Sequence, residues 1–159
     1  MLSKEILDCA LLSWQDKHYL LPTIGMIKLI SLNHIEMTDF LSNQNVPWIS
    51  EMSWQNLHLP VVTFNLLPPD QNNQYPKIAI LHAFFSGALS NTPYFGVLVE
   101  KASRRLKIKP EDLTWENEAQ RQAKLVFLQE DIQVTLLDLH HLSLEVEKMM
   151  NDNKPSFGN

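Results

Sequence analysis

Short apolar runs alternate with turn-forming clusters along this chain, and most of the runs are too short for helices. "ILDCALLSW" (Ile6 to Trp14) and "HYLLPTIGMIKLI" (His18 to Ile30) flank Gln15-Asp16-Lys17, which has the composition of a hairpin turn. Pro22 has no N–H to give a sheet ladder, so it marks a break or a sheet edge. "HIEMTDFLSNQNVP" is weakly patterned and reads as a loop with at most one helical turn. "WISEMSW" and "LHLPVVTF" predict a second strand pair. Val62, Phe64 and Leu66 alternate with Val61, Thr63 and Asn65, which predicts one apolar face and one more polar face. "PPDQNNQYP" predicts an exposed loop.

The second half continues in this style. "KIAILHAFF" and "YFGVLVEKA" predict strands around "SGALSNTP". The uncharged run Ile78 to Val99 is long enough to span a bilayer, but turn formers and a proline interrupt it where a membrane helix is most apolar. Two buried strands joined by a loop fit it better. "RRLKIKPEDLTWENEAQRQ" is polar, and Pro110-Glu111-Asp112 predicts the start of a short helix. "KLVFLQEDIQVTLLDL" predicts a hairpin turning near Gln129-Glu130-Asp131. The period then changes. Leu139, Leu142, Val146 and Met149 fall at helical spacing, with Asp138 as N-cap. The pattern gives a mainly β unit over residues 1–150, and the polar residues 151–159 read as a flexible tail.

Composition narrows the function. Of 159 residues, 45% are hydrophobic and 19% charged, enough apolar matter for a folded core. A net charge of −5 gives no reason to expect nucleic acid as partner. The lone cysteine, Cys9, excludes an internal disulfide and fits a reducing compartment. Lys4, Glu5 and Asp8 break the apolar core that a signal peptide needs.

Candidate chemistry is sparse. His18, His34, His58, His82, His140 and His141 offer no pair at the four-residue spacing of a helical zinc site. The four glycines are too scattered to build a phosphate loop, and no G-x-S-x-G elbow occurs. Glu111, Asp112, Glu116 and Glu118 read as a solvated face. These patterns predict no catalytic set, no cofactor and no bound metal. One cluster stands out: Lys101, Arg104, Arg105, Lys107 and Lys109 crowd a short segment of an acidic protein. Three readings are open, namely a solvated strand edge, a site for an acidic protein, or a nucleic-acid contact.

In order along the chain, four segments resemble the CheW-like adaptor domain of bacterial chemosensory arrays. "YLLPTIGMIKLI" resembles the family's early strand. "VPWISEMSWQNLHLPVV" resembles its central signature, in which an N-L-R-G-like turn precedes an apolar strand. "YFGVLVEKA" resembles the G-I-V-V-D-x-V strand, with Gly96 to Glu100 in register, and "VTLLDLHHL" resembles the closing strand and helix start. The resemblance spans roughly Ala10 to Met149. It implies two five-stranded SH3-like β-barrels sharing a core, followed by a C-terminal helix. It also implies a cytoplasmic, non-enzymatic adaptor that is not inserted in the membrane. Its expected partners are the cytoplasmic tip of a methyl-accepting chemoreceptor and the regulatory domain of a CheA-type histidine kinase. Trp48 and Trp54 around the signature are most similar to adaptors of type IV pilus (twitching) systems.

The resemblance points to Ser53, Trp54, Gln55 and Asn56 as the interface turn, and to Glu100, Lys101, Arg104 and Arg105 as further interface candidates. The turn also departs from the family. Gln55 occupies the arginine position and has neither the permanent charge nor the five-donor fork of arginine. A different class of reading remains beside the adaptor: a small β-barrel that binds nucleic acid or another ligand, with Trp14, Trp48, Trp54 or Trp115 as stacking platforms.

Overall fold

The computed structural model describes residues 6–32, 46–69 and 77–152. Eleven strands form two sheets among these residues, and one α-helix follows them. The strands are β1 (Leu7–Trp14), β2 (Lys17–Pro22), β3 (Met26–Ser31), β4 (Ile49–Trp54), β5 (Leu57–Val62), β6 (Lys77–His82), β7 (Tyr94–Val99), β8 (Lys101–Ile108), β9 (Leu113–Asn117), β10 (Gln122–Phe127) and β11 (Glu130–Leu136); the helix is α1 (Leu139–Asp152). The six-stranded sheet runs β8-β1-β2-β11-β10-β9, and the five-stranded sheet runs β3-β6-β7-β5-β4. The mainly β class and the C-terminal helix are as the sequence predicts. The first sheet carries six strands rather than five, because the polar segment after Glu100 supplies both of its outer strands, β8 and β9.

The first sheet curls on itself. Its outermost strands are joined by the short link from Ile108 to Leu113, which reaches at most ~18 Å even fully extended. A flat six-stranded sheet would hold its outer strands ~24 Å apart. The link is shorter still, because Pro110–Asp112 is a 3-10 turn rather than the start of a longer helix. The Lys109 N–H donates to Asp112 Oδ2 at 2.9 Å, so the turn is closed by its own acid.

Three hairpins close through two-residue turns in which both central residues have positive φ: Gln15-Asp16, Gln55-Asn56 and Leu128-Gln129. This geometry matches the right-handed twist of the flanking strands. The third turn comes earlier than Gln129-Glu130-Asp131, because Glu130 and Asp131 already pair with Phe127 and Val126.

The chain changes sheets twice. After Pro22, a 3-10 turn at Thr23–Gly25 carries it from β2 into β3. Glu100 alone carries it from β7 into β8, so "YFGVLVEKA" belongs to two strands in different sheets. Ile78 to Val99 forms β6 and β7 with an intervening loop, and no helix of the described residues is long and apolar enough to cross a membrane.

Burial follows from this arrangement. One cluster lies within the six-stranded sheet, a second gathers on the five-stranded sheet and takes in Trp14 of β1, and a third lies between the sheets. The shared one joins Ala10, Leu12 and Leu21 of the first sheet to Val62, Leu81, Phe95 and Val97 of the second, with Leu142, Val146 and Met149 of α1. The alternation expected from Val61 to Leu66 does not hold. Val61, Val62 and Thr63 are all fully buried, since β5 is an inner strand covered on both faces. The loop beginning at Pro68 is not wholly exposed either, because Pro69 is buried; residues 70–76 lie outside the described set, as do 33–45, where a loop was expected, and 153–159 of the expected tail.

The helix is held to the second sheet by polar contacts as well as packing. Asp138 Oδ1 accepts the His141 N–H at 3.2 Å, so it is the N-cap the sequence predicts. Ser143 Oγ accepts the Phe84 N–H at 3.0 Å, and the buried Glu147 carboxylate accepts the Ser86 N–H at 3.2 Å. His140 stacks on Phe84, while its neighbour His141 reaches Glu145 on another side of the helix.

Candidate protein-interaction site

The four turn candidates sit together at the tip of the β4–β5 hairpin. Ser53 and Trp54 end β4, and Ser53 pairs with His58 while Trp54 pairs with Leu57. Gln55 (φ 49°) and Asn56 (φ 65°) make the turn itself. Asparagine visits this left-handed region more readily than most residues, which keeps the turn formed without glycine. Ser53, Gln55 and Asn56 are exposed and Trp54 is half-buried. The Trp54 indole meets Tyr94 edge-on at 5.6 Å, and Tyr94 lies 5.7 Å from the His82 ring. The turn is therefore backed by a half-buried aromatic strip from three strands. Tyr94 and His82 carry no sequence motif; only the β6–β7 pairing brings them here.

The other four candidates lie on the other sheet or at its entrance. Lys101, Arg104 and Arg105 belong to β8, the basic outer strand of the six-stranded sheet. Its register against β1 shifts between Cys9 and Leu11. Lys101, Ser103, Arg105 and Lys107 are exposed, whereas Leu106 and Ile108 pack inward with Cys9 and Leu11. Lys107 reaches Asp8 at 3.3 Å, a contact between two largely exposed side chains and hence worth little. The structure thus divides the eight candidates into a hairpin tip on one sheet, an outer strand of the other that holds Lys101, Arg104 and Arg105, and Glu100 at the crossing between them.

Glu100 is engaged within the chain. Its Oε1 accepts the Gln15 N–H at 2.7 Å, and its own N–H donates to the Ser13 carbonyl at 2.8 Å. Gln15 Oε1 in turn accepts from Asn65 Nδ2 at 3.0 Å. A polar chain therefore joins the β1–β2 turn, the link between the sheets and the loop after β5. Tyr19 stacks on Phe64 at 3.9 Å across the same seam.

Two of the four tryptophans have no face free for stacking on a base. Trp14 and Trp48 are buried. Trp115, 47% exposed, stands on β9 next to Glu116, not on the basic strand β8. Cys9 is buried, and burial, with Asp8 adding to it, pushes its thiol pKa up, which opposes the thiolate a nucleophile needs.

Comparison with solved structures gives a likeness in fold. The crystal structure of the scaffolding protein TtCheW from Thermoanaerobacter tengcongensis matches with a TM-score of 0.56, covering 87% of this chain and 92% of that one, at 12% sequence identity. The chain therefore has a CheW-like fold. No protein-family model matches the sequence. No curated protein matches it.

Proposed function

We propose that this chain is a non-catalytic adaptor of a bacterial chemosensory pathway, linking a chemoreceptor tip to the regulatory domain of a CheA-type histidine kinase. The observation that carries the reading is the likeness of nearly the whole fold to a scaffolding protein. The exposed tip Ser53–Asn56, stiffened by its turn geometry and backed by Trp54 and Tyr94, supports it as a contact surface. Half-buried aromatics beside exposed polar groups are the composition of protein-binding hot spots. The tryptophans flanking the signature extend the reading to a pathway that controls type IV pili, in the cytoplasm.

Gln55 is the residue to test. Titrating the kinase regulatory domain and the receptor tip with wild type and with Gln55→Arg measures its part in binding. Arginine adds a charge and a bidentate donor, so affinity rises about tenfold or more if the partner keeps a facing carboxylate, by the energy of a charged hydrogen bond. It falls if the partner has adapted to glutamine, through uncompensated desolvation. An unchanged affinity removes the turn from the interface. No binding of either partner by the wild type removes the adaptor reading itself.

A further inference from the structure

In the middle of the six-stranded sheet, β2 and β11 run parallel and pair only at Tyr19–Thr135 and Leu20–Leu136. β11 begins at Glu130, so the stretch Glu130–Val134 comes before that pairing starts. β2 has only Lys17 and His18 ahead of the same point. The β10–β11 hairpin therefore runs on past the β1–β2 hairpin by about three residues, ~10 Å of strand. Along that length the sheet is interrupted between two of its inner strands.

Hairpin geometry fixes where the backbone of this stretch points. Residues flanking a two-residue turn exchange both ladder hydrogen bonds, and the direction then alternates along the strand. Leu128-Gln129 is such a turn, so Glu130, Ile132 and Val134 bond to β10. Asp131, Gln133 and Thr135 then turn their N–H and C=O groups toward the β2 side. The same alternation puts the Leu137 N–H on that side, where it meets the Leu20 carbonyl at 2.8 Å. Thr135 finds β2 there, but Asp131 and Gln133 have no strand paired on that side among the described residues. Beside them lies a cleft of about 430 Å³, lined by Asp16, Lys17, His18, Asp131, Ile132 and Gln133 among others. Neither Asp16 nor Asp131 takes part in an ion pair among the described residues. Side chains alternate too: Asp131 and Gln133 are exposed, whereas Ile132 and Val134 pack inward.

From these features we propose that the cleft takes an extended peptide of another protein, added as a strand along Glu130–Val134. Main-chain hydrogen bonds to Asp131 and Gln133 hold its backbone, and alternate side chains select it. Basic residues face Asp131 and Asp16, and the residues between them are apolar and lie beside Ile132. The partner segment is therefore an alternating basic and apolar strand. The same edge of a second copy is no substitute, because it carries the same acids and like charges opposed across strands repel. The proposal rests on the strand edge and its charge, not on the adaptor reading, and the two fail independently.

Titrating the full chain with an acetylated, amidated hexapeptide of alternating lysine and valine tests it. Binding should slow hydrogen exchange at the Asp131 and Gln133 amides about tenfold or more and leave those of Gln55 and Asn56 unchanged. A glutamate–valine hexapeptide should bind about tenfold more weakly or worse, through like-charge repulsion. A fully N-methylated lysine–valine peptide keeps the side chains but loses every backbone donor, and should not bind. Asp131→Lys should weaken binding of the lysine–valine peptide about tenfold or more. Gln133→Pro removes an outward N–H, spares the ladder to β10, and should weaken it likewise. Circular dichroism shows that each variant is folded; should the proline disturb folding, Asp131→Lys and the methylated peptide decide alone. No binding of the lysine–valine peptide, equal binding of the acidic or methylated one, affinity that survives Asp131→Lys, or unprotected amides at Asp131 and Gln133 overturns the proposal.

Discussion

Glu100 holds Gln15 across 85 positions of sequence, its carboxylate accepting the Gln15 N–H at 2.7 Å. The acid is the only residue between β7 and β8, and the acceptor bond fixes the β1–β2 turn to the point where the chain changes sheets. Its place in the resemblance to the CheW-like strand suggests a contact for a partner, but its geometry gives it a partner inside the chain. Glu100→Ala should lower stability by about 1–2 kcal/mol, the upper range being limited by solvent exposure, whereas Glu100→Gln keeps an acceptor oxygen and should cost less. Urea midpoints of the two variants measure the difference; equal and negligible losses would show that the bond holds nothing.

Gly96 occupies the middle of β7, between β6 and β5. A Cβ there would come within 2.9 Å of Ile78 Cγ2 and 3.2 Å of Val61 Cγ2, both on fully buried residues. Gly96→Ala should therefore destabilise by about 1–3 kcal/mol through overpacking, despite alanine's lower chain entropy. A melting temperature equal to or above wild type would refute this.

The helix should be separable into packing and latch. Leu142→Ala removes a buried side chain from the cluster shared by both sheets and should cost about 2–5 kcal/mol. Glu147→Ala leaves the Ser86 N–H without its acceptor and should cost about 1–3 kcal/mol. If α1 were peripheral, neither change would move the unfolding midpoint in urea.

Burial raises the pKa of both Cys9 and Tyr19 above their ordinary values of 9.0 and 10.0. The unfolded chain then loses these protons at lower pH than the folded one, so both groups favour the folded state below pH 9 and the benefit falls as pH rises through the alkaline range. Unfolding in urea at pH 8 and pH 10 should show a drop. Cys9→Ala should show a smaller drop; an equal one would assign the loss to other groups.

Asn56 at φ 65° is tolerated but not optimal, and the second position of such a turn favours glycine. Asn56→Gly should raise stability by up to about 1 kcal/mol with the hairpin register unchanged, read from the thermal midpoint.

Much of this architecture could be read from the residues. The strand pairs, the interruption of the Ile78–Val99 run and the Asp138-capped helix all follow from period and turn chemistry, because those signals are local. The outer strands β8 and β9 were harder to see. Edge strands face water, so Lys101 to Ile108 and Leu113 to Asn117 carry charges where inner strands carry apolar residues. The Leu128-Gln129 turn has no glycine or asparagine to announce it, and an 80% exposed leucine at a turn imitates a strand residue. At the candidate site the turn Ser53–Asn56 was legible, whereas Tyr94 and His82 reach it only through long-range pairing. The commitment of Glu100 to Gln15 was equally invisible, since no local pattern encodes a contact between a turn and a distant crossover.

The double change of sheet also sets an order of manufacture. The five-stranded sheet is complete in the chain by Val99, while the N-terminal hairpin must wait for β8 and β11 to flank it. Roughly 80 residues separate β2 from β8, about 4–16 s at common rates of bacterial and eukaryotic synthesis. During that interval Leu11, Leu12, Leu20 and Leu21 have emerged without the strands that cover them. The newborn protein therefore passes through a stage in which the β1–β2 hairpin is its stickiest part, and β8 and β11, made later, are the strands that shield it.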